Sequence, residues 1–322
     1  MRAIVQNAYG EAEVLQAADI EQPTITDSQV LVAVRAAGMD RGTWHLMAGR
    51  PYLIRVIGPR RPRNPVPGLD VAGVVVAIGA AVTRFQPGDE VFGMAKSGSF
   101  AEFAVAREDR LAHKPASMTF EQAAVTAVSG LTALQGLRDA GRITAGQHVL
   151  IIGASGGVGS FAVQLAKSFG AEVTGVCSSS KAEFVSSLGA DHVLDYAHDD
   201  VFSEPARYDL ILDLGGNTPL SRLRSVLAPN GTLVIAGGEN GGPISGGMHR
   251  QLGAMLLSPF VKQRLTMLAS TGKPDDMATL ADLADAGSFT PAIDSSYPLE
   301  SAADAMRHLV SGEVRGKIAI VV

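Results

Sequence analysis

The sequence predicts an α/β protein with two domains, a compact β-barrel followed by a doubly wound parallel sheet. The chain has 322 residues, roughly twice the length of a common single domain of about 150 residues. Up to Phe120 the sequence consists of short β-rich runs broken by Gly and Pro. Beyond that residue strand and helix patterns alternate, which indicates right-handed βαβ units on a parallel sheet.

The first part of the chain is predicted to form the barrel. Its strand candidates are rich in Val and Phe and cover residues 30–34, 71–78, 90–92 and 100–105. A basic segment with four prolines, residues 58–67, interrupts them. Because proline forbids both a helix interior and a central strand, we interpret this segment as a solvated surface loop. Contact with an anionic substrate or with a cofactor is the alternative.

The second part begins with a helix signal, because Thr119 and Gln122 form a capping-box pattern. Strands are predicted at 148–152, 172–177, 192–195, 208–214, 232–236 and 264–268, and helices at 158–169, 181–188, 219–227, 275–285 and 299–309, before a last strand at 317–322. The irregular segments 44–66 and 237–260 are expected to line a substrate pocket.

The composition excludes several classes of function. Lysine and arginine total 27 against 32 aspartates and glutamates, a net charge of −5, so we expect no nucleic-acid partner. No apolar run reaches the length of about 18–20 residues that a bilayer requires, and the N-terminus lacks the apolar core of a signal peptide. We therefore expect a cytoplasmic protein with no membrane partner. The single cysteine, Cys177, excludes an internal disulfide and a zinc site built from several thiolates.

A glycine-rich turn, GASGGVG at 153–159, joins the strand at 148–152 to the next helix. A pyrophosphate can rest on a helix start only where the backbone comes close and free N–H groups point at it. Gly156 and Gly157 lack the Cβ atoms that would block this approach, and Gly159 lets the helix pack tightly on the sheet. We interpret the turn as a dinucleotide site, with a merely tight turn as the alternative. Its predicted binding residues are Ala154, Ser155, Gly156, Gly157 and Val158.

The end of the next strand indicates which dinucleotide binds. Sites for NAD usually carry Asp or Glu about 20 residues past the glycine pattern, where it binds the ribose 2′-hydroxyl. Ser178, Ser179 and Lys181 occupy that region here. Hydroxyls and an ammonium attract a 2′-phosphate that a carboxylate would repel. We therefore expect NADPH, with an ordinary solvated lysine as the alternative for Lys181.

Several motifs in order give the chain its resemblance to a known family. They are AAGMD at 36–40, PGLDVAG at 67–73, FQPGDEVFG at 85–93, GLTA at 130–133, the glycine turn and LGAD at 188–191. The sequence resembles the medium-chain dehydrogenases/reductases, in their zinc-free quinone oxidoreductase branch. The resemblance implies a GroES-like catalytic domain at 1–118, completed by 288–322, and a Rossmann NADP-binding domain at 119–287.

The sequence departs from the zinc alcohol dehydrogenases of the same superfamily. They carry a Cys where this chain has Asp40, and a Gly-His-Glu where it has Gly68, Leu69 and Asp70. Their inserted lobe with four cysteines is absent. We therefore expect no metal site, and without a Lewis acid ordinary alcohol oxidation loses its main charge stabilisation.

The resemblance also implies roles for particular residues. Asp40, where quinone reductases typically carry Asn, and Thr132 would lie beside the nicotinamide, and Lys181 and Tyr196 would hold the 2′-phosphate. Tyr52 is the candidate proton donor, with a packed aromatic as the alternative. The predicted cofactor set is completed at the ends of two later strands by Leu214, Gly215, Ala236 and Gly237.

These features predict an NADPH-dependent oxidoreductase that transfers a hydride to a quinone or an α,β-unsaturated carbonyl without zinc. The alternatives are an NADP-dependent carbonyl reductase or alcohol dehydrogenase, and a regulatory NADPH-binding protein without catalysis. Family members commonly dimerise through the edges of their cofactor-domain sheets, so the resemblance also predicts a homodimer through the strand at 264–268.

Overall fold

The computed structural model describes the chain apart from residues 204, 206, 217, 239–241 and 243. The contacts between residues divide the chain into two compact units. Unit 1 comprises Met1–Leu131, Gly272–Gly287 and Pro291–Val322, and unit 2 comprises Thr132–Thr271 and Ser288–Thr290. Unit 1 also takes in the segments 119–131 and 272–287, which the sequence analysis assigned to the nucleotide-binding domain. Their helices pack on the strands of unit 1.

The strands are β1 (Arg2–Val5), β2 (Gln16–Asp19), β3 (Gln29–Met39), β4 (Asp70–Ile78), β5 (Glu90–Ala95), β6 (Phe103–His113), β7 (His148–Ile152), β8 (Glu172–Cys177), β9 (His192–Asp195), β10 (Tyr208–Asp213), β11 (Leu227–Ile235), β12 (Arg264–Met267), β13 (Ile293–Pro298) and β14 (Lys317–Val321). The predictions for β7, β8 and β9 are confirmed residue for residue, because their apolar runs are bounded by clear Gly and Ser signals.

The helices are α1 (Arg41–Ala48), α2 (Phe120–Ala124), α3 (Ala127–Gln135), α4 (Gly157–Ser168), α5 (Ala182–Ser187), α6 (Leu220–Val226), α7 (Met248–Leu257), α8 (Pro274–Asp285) and α9 (Ala302–Ser311). Thr119 caps α2 through the predicted capping box with Gln122. In the part of the chain that the structure describes, no helix is both long and apolar enough to cross a membrane.

Unit 1 contains the predicted barrel. Strand β3 pairs antiparallel with both β4 and β6, and β5 pairs with β4 and β6, so the four strands close on themselves. Alternate side chains point inward and form an apolar core that includes Val32, Val75, Val91 and Leu111. The last strand, β14, pairs with β3, and this pairing places Ile318 opposite Met39, so that the preceding residue, Lys317, lies just beyond the end of β3.

Unit 2 contains a six-stranded parallel sheet in the order β12-β11-β10-β7-β8-β9. The chain leaves β7 toward β8 on one side and returns to β10 on the other side. The sheet therefore has a topological switch point beside β7, where parallel α/β sheets bind ligands at the carboxyl ends of their strands. Strand β12, predicted at 264–268, lies at one edge of the sheet.

Two segments that the sequence analysis read as irregular contain helices, so that prediction was wrong. The segment 44–66 contains the last five residues of α1 and a 3₁₀ turn, Tyr52–Ile57. Helix α7 lies in 237–260, of which 239–241 and 243 are outside the described residues. In α7 the buried residues are Arg250 and Ala254, while Leu252 and Leu256 are exposed. The apolar period that reveals an amphipathic helix is therefore missing.

Candidate active site

The predicted cofactor residues meet along one edge of the unit 2 sheet. They follow the carboxyl ends of five strands: Ala154, Ser155, Gly156, Gly157 and Val158 after β7; Ser178, Ser179 and Lys181 after β8; Tyr196 after β9; Leu214 and Gly215 after β10; and Ala236 and Gly237 after β11. Because parallel strands end at the same edge, residues from distant parts of the sequence form one continuous rim.

Close backbone packing explains two of the glycines in this rim. The Leu214 N–H donates to the Ile152 carbonyl oxygen at 3.0 Å, which joins the ends of β7 and β10. A Cβ on Gly237 would lie 1.8 Å from the Leu214 oxygen. Gly153 has φ +86°, and a Cβ there would lie 3.1 Å from the Gly215 nitrogen. Both positions require glycine for the strand ends to come together.

The start of α4 has the shape that a pyrophosphate requires. Gly156 is its N-cap residue and caps with no side chain, so the first N–H groups of the helix lack partners within it. A Cβ on Gly159 would lie 2.1 Å from the Gly153 oxygen, whereas a Cβ on Gly156 would meet only that oxygen, at 3.4 Å. The fold therefore requires glycine at 159 but not at 156, where a bound pyrophosphate would benefit from the open space. These residues fit a dinucleotide.

The region predicted to hold the 2′-phosphate lies just beyond β8. The hydroxyl oxygens of Ser178 and Ser180 are 3.2 Å apart, and Lys181 ends a 3₁₀ turn that begins at Ser179. Tyr196, at 66 % exposure, presents its ring to solvent beyond β9. Hydroxyls, an ammonium and an exposed phenol thus lie at the ends of two neighbouring strands.

Asp195 is a charged residue of this region that the sequence reasoning missed. Its carboxylate accepts hydrogen bonds from the Ser179 hydroxyl, from the Ala197 N–H at 2.9 Å and from His198 Nδ1 at 2.6 Å. The Ser179 hydroxyl first, then the Ala197 N–H and His198, lower the pKa of Asp195 to about 2. Asp195 is therefore ionised at neutral pH. The acid that binds a ribose 2′-hydroxyl is expected after β8, whereas this one ends β9.

A buried ion pair that the sequence analysis also did not predict lies at the end of β10. Asp213 and Arg250 are both buried, and the Arg250 guanidinium donates to the Asp213 carboxylate and to the Gly216 carbonyl oxygen. Burial raises the pKa of Asp213, and the guanidinium opposes this shift. Because Leu214 and Gly215 follow this strand, the pair ties α7 to the turn that carries two predicted cofactor residues.

Asp40 is the N-cap residue of α1 in unit 1. Its Oδ1 accepts hydrogen bonds from the Thr43 N–H at 2.8 Å and from the Thr43 hydroxyl at 3.0 Å, as expected for a capping aspartate. Thr43 also lines a cavity of about 200 Å³ whose walls are mostly apolar, with Leu46, Met47 and Ile54 among them. Asp40 is thus linked through Thr43 to a pocket of unit 1.

The structure places the other two predicted catalytic residues as follows. Tyr52 lies in the 3₁₀ turn after α1, is 46 % exposed and has the Arg55 guanidinium 4.9 Å from its ring centre. Thr132 lies in α3 and is half-buried. Among the described residues, no three His, Cys, Asp or Glu side chains come together as a group that could hold a metal ion.

Two family models match the chain. The alcohol dehydrogenase GroES-like domain matches residues 26–116, and the zinc-binding dehydrogenase model matches residues 188–320. The chain is also similar to a mycobacterial protein whose structure was solved as a complex with NADPH, at a TM-score of 0.84, 27% identity and coverage of 100% of both chains. The predicted GroES-like barrel and Rossmann sheet are confirmed.

Curated relatives extend this similarity to the whole length of the chain. A chloroplast envelope quinone oxidoreductase homologue from Arabidopsis thaliana is 33% identical over 99% of this chain and 98% of its own. A 2-methylene-furan-3-one reductase from Solanum lycopersicum is 30% identical over 99% of this chain and 79% of its own. The chain therefore belongs to the quinone oxidoreductase branch of the medium-chain dehydrogenase/reductase superfamily, and it is an oxidoreductase.

Proposed function

We propose that this protein is an NADPH-dependent oxidoreductase that reduces a quinone or an α,β-unsaturated carbonyl compound without zinc. The observation that carries the proposal is the start of α4, where Gly159 is required by packing and Gly156 leaves open space before N–H groups that have no partner within the helix. The names of the relatives, which include a quinone oxidoreductase homologue and a furanone reductase, support the acceptor class.

In the proposed site the start of α4 binds the pyrophosphate, and Ser178, Ser179, Lys181 and Tyr196 hold the 2′-phosphate. When bound, NADPH supplies the hydride. The turns after β10 and β11 form the remaining wall for the cofactor, and the pair formed by Asp213 and Arg250 keeps the first of these turns in place. The protein's contribution is to bind and orient, as in other hydride-transfer enzymes.

We assign acceptor binding to the cavity of unit 1. Its apolar wall suits a flat ring, and its volume of about 200 Å³ is small enough to favour compact acceptors. We assign Asp40 and Thr132 to the reacting end of the site, and Tyr52 remains the candidate proton donor. A quinone needs little acid assistance, because resonance stabilises its reduced form. The residue types at 40, 69 and 70 supply no Cys or His for zinc.

The decisive experiment is an assay of NADPH oxidation with a panel of quinones, enones and the matching saturated ketones, with and without a chelator. We expect the quinones and enones to react faster than the ketones, and the chelator to change nothing. Faster reduction of the ketones would favour a carbonyl reductase or alcohol dehydrogenase. Tight NADPH binding without any oxidation would favour a regulatory binding protein, and loss of all activity with the chelator would refute the absence of zinc.

Gly156→Val tests whether the pyrophosphate lies at the start of α4. The backbone at Gly156 has φ −82°, which valine tolerates, and a Cβ there makes only an ordinary contact. We expect this variant to fold and to lose both NADPH binding and activity. Unchanged NADPH binding would show that the pyrophosphate does not lie on this turn.

The proposed assembly is a homodimer through the edge strand β12, in a protein that we place in the cytoplasm. An edge strand presents unpaired backbone groups to a second chain, and among the described strands β12 pairs with β11 alone. Light scattering is expected to give twice the chain mass of 33.4 kDa. A monomeric mass would reject the dimer without affecting the proposed reaction.

A further inference from the structure

Unit 1 contains a group of buried charges that the proposed reaction leaves unexplained. Lys317, at 1 % exposure, begins β14, and Asp70, at 0 %, begins β4. The Lys317 ammonium donates to the Ser129 hydroxyl at 3.0 Å. Its Nζ lies 3.6 Å from Asp70 Oδ2 and 3.7 Å from Asp40 Oδ2. One ammonium thus lies between two carboxyl groups.

The two carboxyl groups differ in their surroundings. Asp70 Oδ1 accepts a hydrogen bond from the Val128 N–H at 2.8 Å, and Oδ2, although buried, has no hydrogen-bond partner in the described part of the chain. The Asp40 side chain is 11 % exposed and contacts Thr43 on the cavity wall. The group therefore extends from a fully buried carboxyl to one at the edge of the proposed acceptor site.

The charges in this group do not balance when both carboxyls are ionised. Two carboxylates and one ammonium sum to one negative charge, and burying such a net charge is unfavourable. The charged groups that act on Asp70 are Lys317 from β14 and Asp40 from the start of α1. The neighbouring strands contribute uncharged residues beside it, Gly38 of β3 and Met94 of β5.

We propose that Lys317 and Asp70 are positioning residues for Asp40, and that one proton held by this group keeps the net charge beside the acceptor site at zero. The inference rests on the proposed function. During the reduction the acceptor receives a hydride with its electron pair, and negative charge develops on its oxygen until a proton, from Tyr52 or from solvent, neutralises it. A neutral neighbouring group accommodates this charge, whereas a negative group opposes it.

The titration of Asp70 gives the expected pH dependence. Burial raises the pKa of Asp70 to about 7, and Lys317 only partly offsets this shift. The group therefore holds its proton below that pH and loses it above. We expect kcat to fall about tenfold between pH 6 and pH 8, as for a step that needs one group protonated, with little change in KM.

Asp70→Asn tests the proposal, because the amide has the shape of the protonated carboxyl and keeps an acceptor for the Val128 N–H. The fall in kcat between pH 6 and pH 8 is expected to disappear in this variant. It should persist in Glu102→Gln, a control that changes an exposed carboxylate paired with Arg2. The same fall in Asp70→Asn as in the unchanged protein would overturn the proposal. Absence of turnover with every acceptor would instead reject the proposed function.

The pH dependence of unfolding tests whether Asp70 is protonated in the folded protein, without any assay of activity. The folded protein keeps a proton on Asp70 that the unfolded chain releases near pH 4, so this residue's contribution to stability falls as the pH rises from about 4 to about 7. We expect the melting temperature of the unchanged protein to fall relative to that of Asp70→Asn over this range. Parallel curves for the two proteins would show that Asp70 holds no proton, and would overturn the inference.

Discussion

Replacing Arg250 by methionine is expected to lower the free energy of unfolding by about 3–5 kcal/mol, because it leaves a buried charge without its partner. Asp213 is fully buried, and its Oδ2 interacts with the Arg250 guanidinium. Methionine preserves much of the apolar volume of the side chain but removes the guanidinium charge and the hydrogen bond to the Gly216 carbonyl oxygen. Urea unfolding followed by circular dichroism measures the loss.

The double variant Arg250→Met with Asp213→Asn is the matched control. Removing both charges together should recover much of the lost stability, since no unpaired charge remains. The loss in the single variant should also shrink as the pH falls, because burial raises the pKa of Asp213 and its carboxyl then becomes neutral. A single variant as stable as the unchanged protein would show that the pair contributes little.

Lys181→Ala is expected to weaken NADPH binding by about 10–100-fold, the equivalent of one lost charge-assisted hydrogen bond. NADH lacks the 2′-phosphate, so its affinity should change much less. Titration calorimetry at one fixed ionic strength compares the two cofactors, because salt screens the exposed charges of this region. Equal losses for both cofactors would contradict the assignment of Lys181 to the 2′-phosphate.

Asp195→Asn is expected to have the opposite effect on NADPH binding from Lys181→Ala. The ionised carboxylate lies beside Ser179 and repels a 2′-phosphate, so its removal should tighten NADPH binding. The same carboxylate suits a ribose 2′-hydroxyl, and NADH binding should weaken in this variant. If the unchanged protein binds NADH more tightly than NADPH, the repulsion of the 2′-phosphate by Asp195 is stronger than its attraction by Lys181.

The elements that sequence reasoning predicted well are those with strong local patterns. The apolar runs of β7, β8 and β9 and the capping box at Thr119 depend on neighbouring residues only, and the structure confirms them. Helix α7 was missed because its inward face holds Arg250, a charged residue that sequence patterns assign to the surface. Arg250 is buried because it forms an ion pair with the buried carboxylate of Asp213. Strand β13 was missed because Asp and Ser occupy half of its positions.

The sequence by itself determined the alternation of strands and helices, the glycine turn and the family, since these follow from local periodicity and from motifs in order. Only the tertiary structure showed that Lys317 lies between Asp40 and Asp70, that Arg250 pairs with Asp213, and that Asp195 reaches Ser179. These pairs join residues from separate strands and helices. Their energies depend on burial and on distances of a few ångströms, which exist only after the chain has folded.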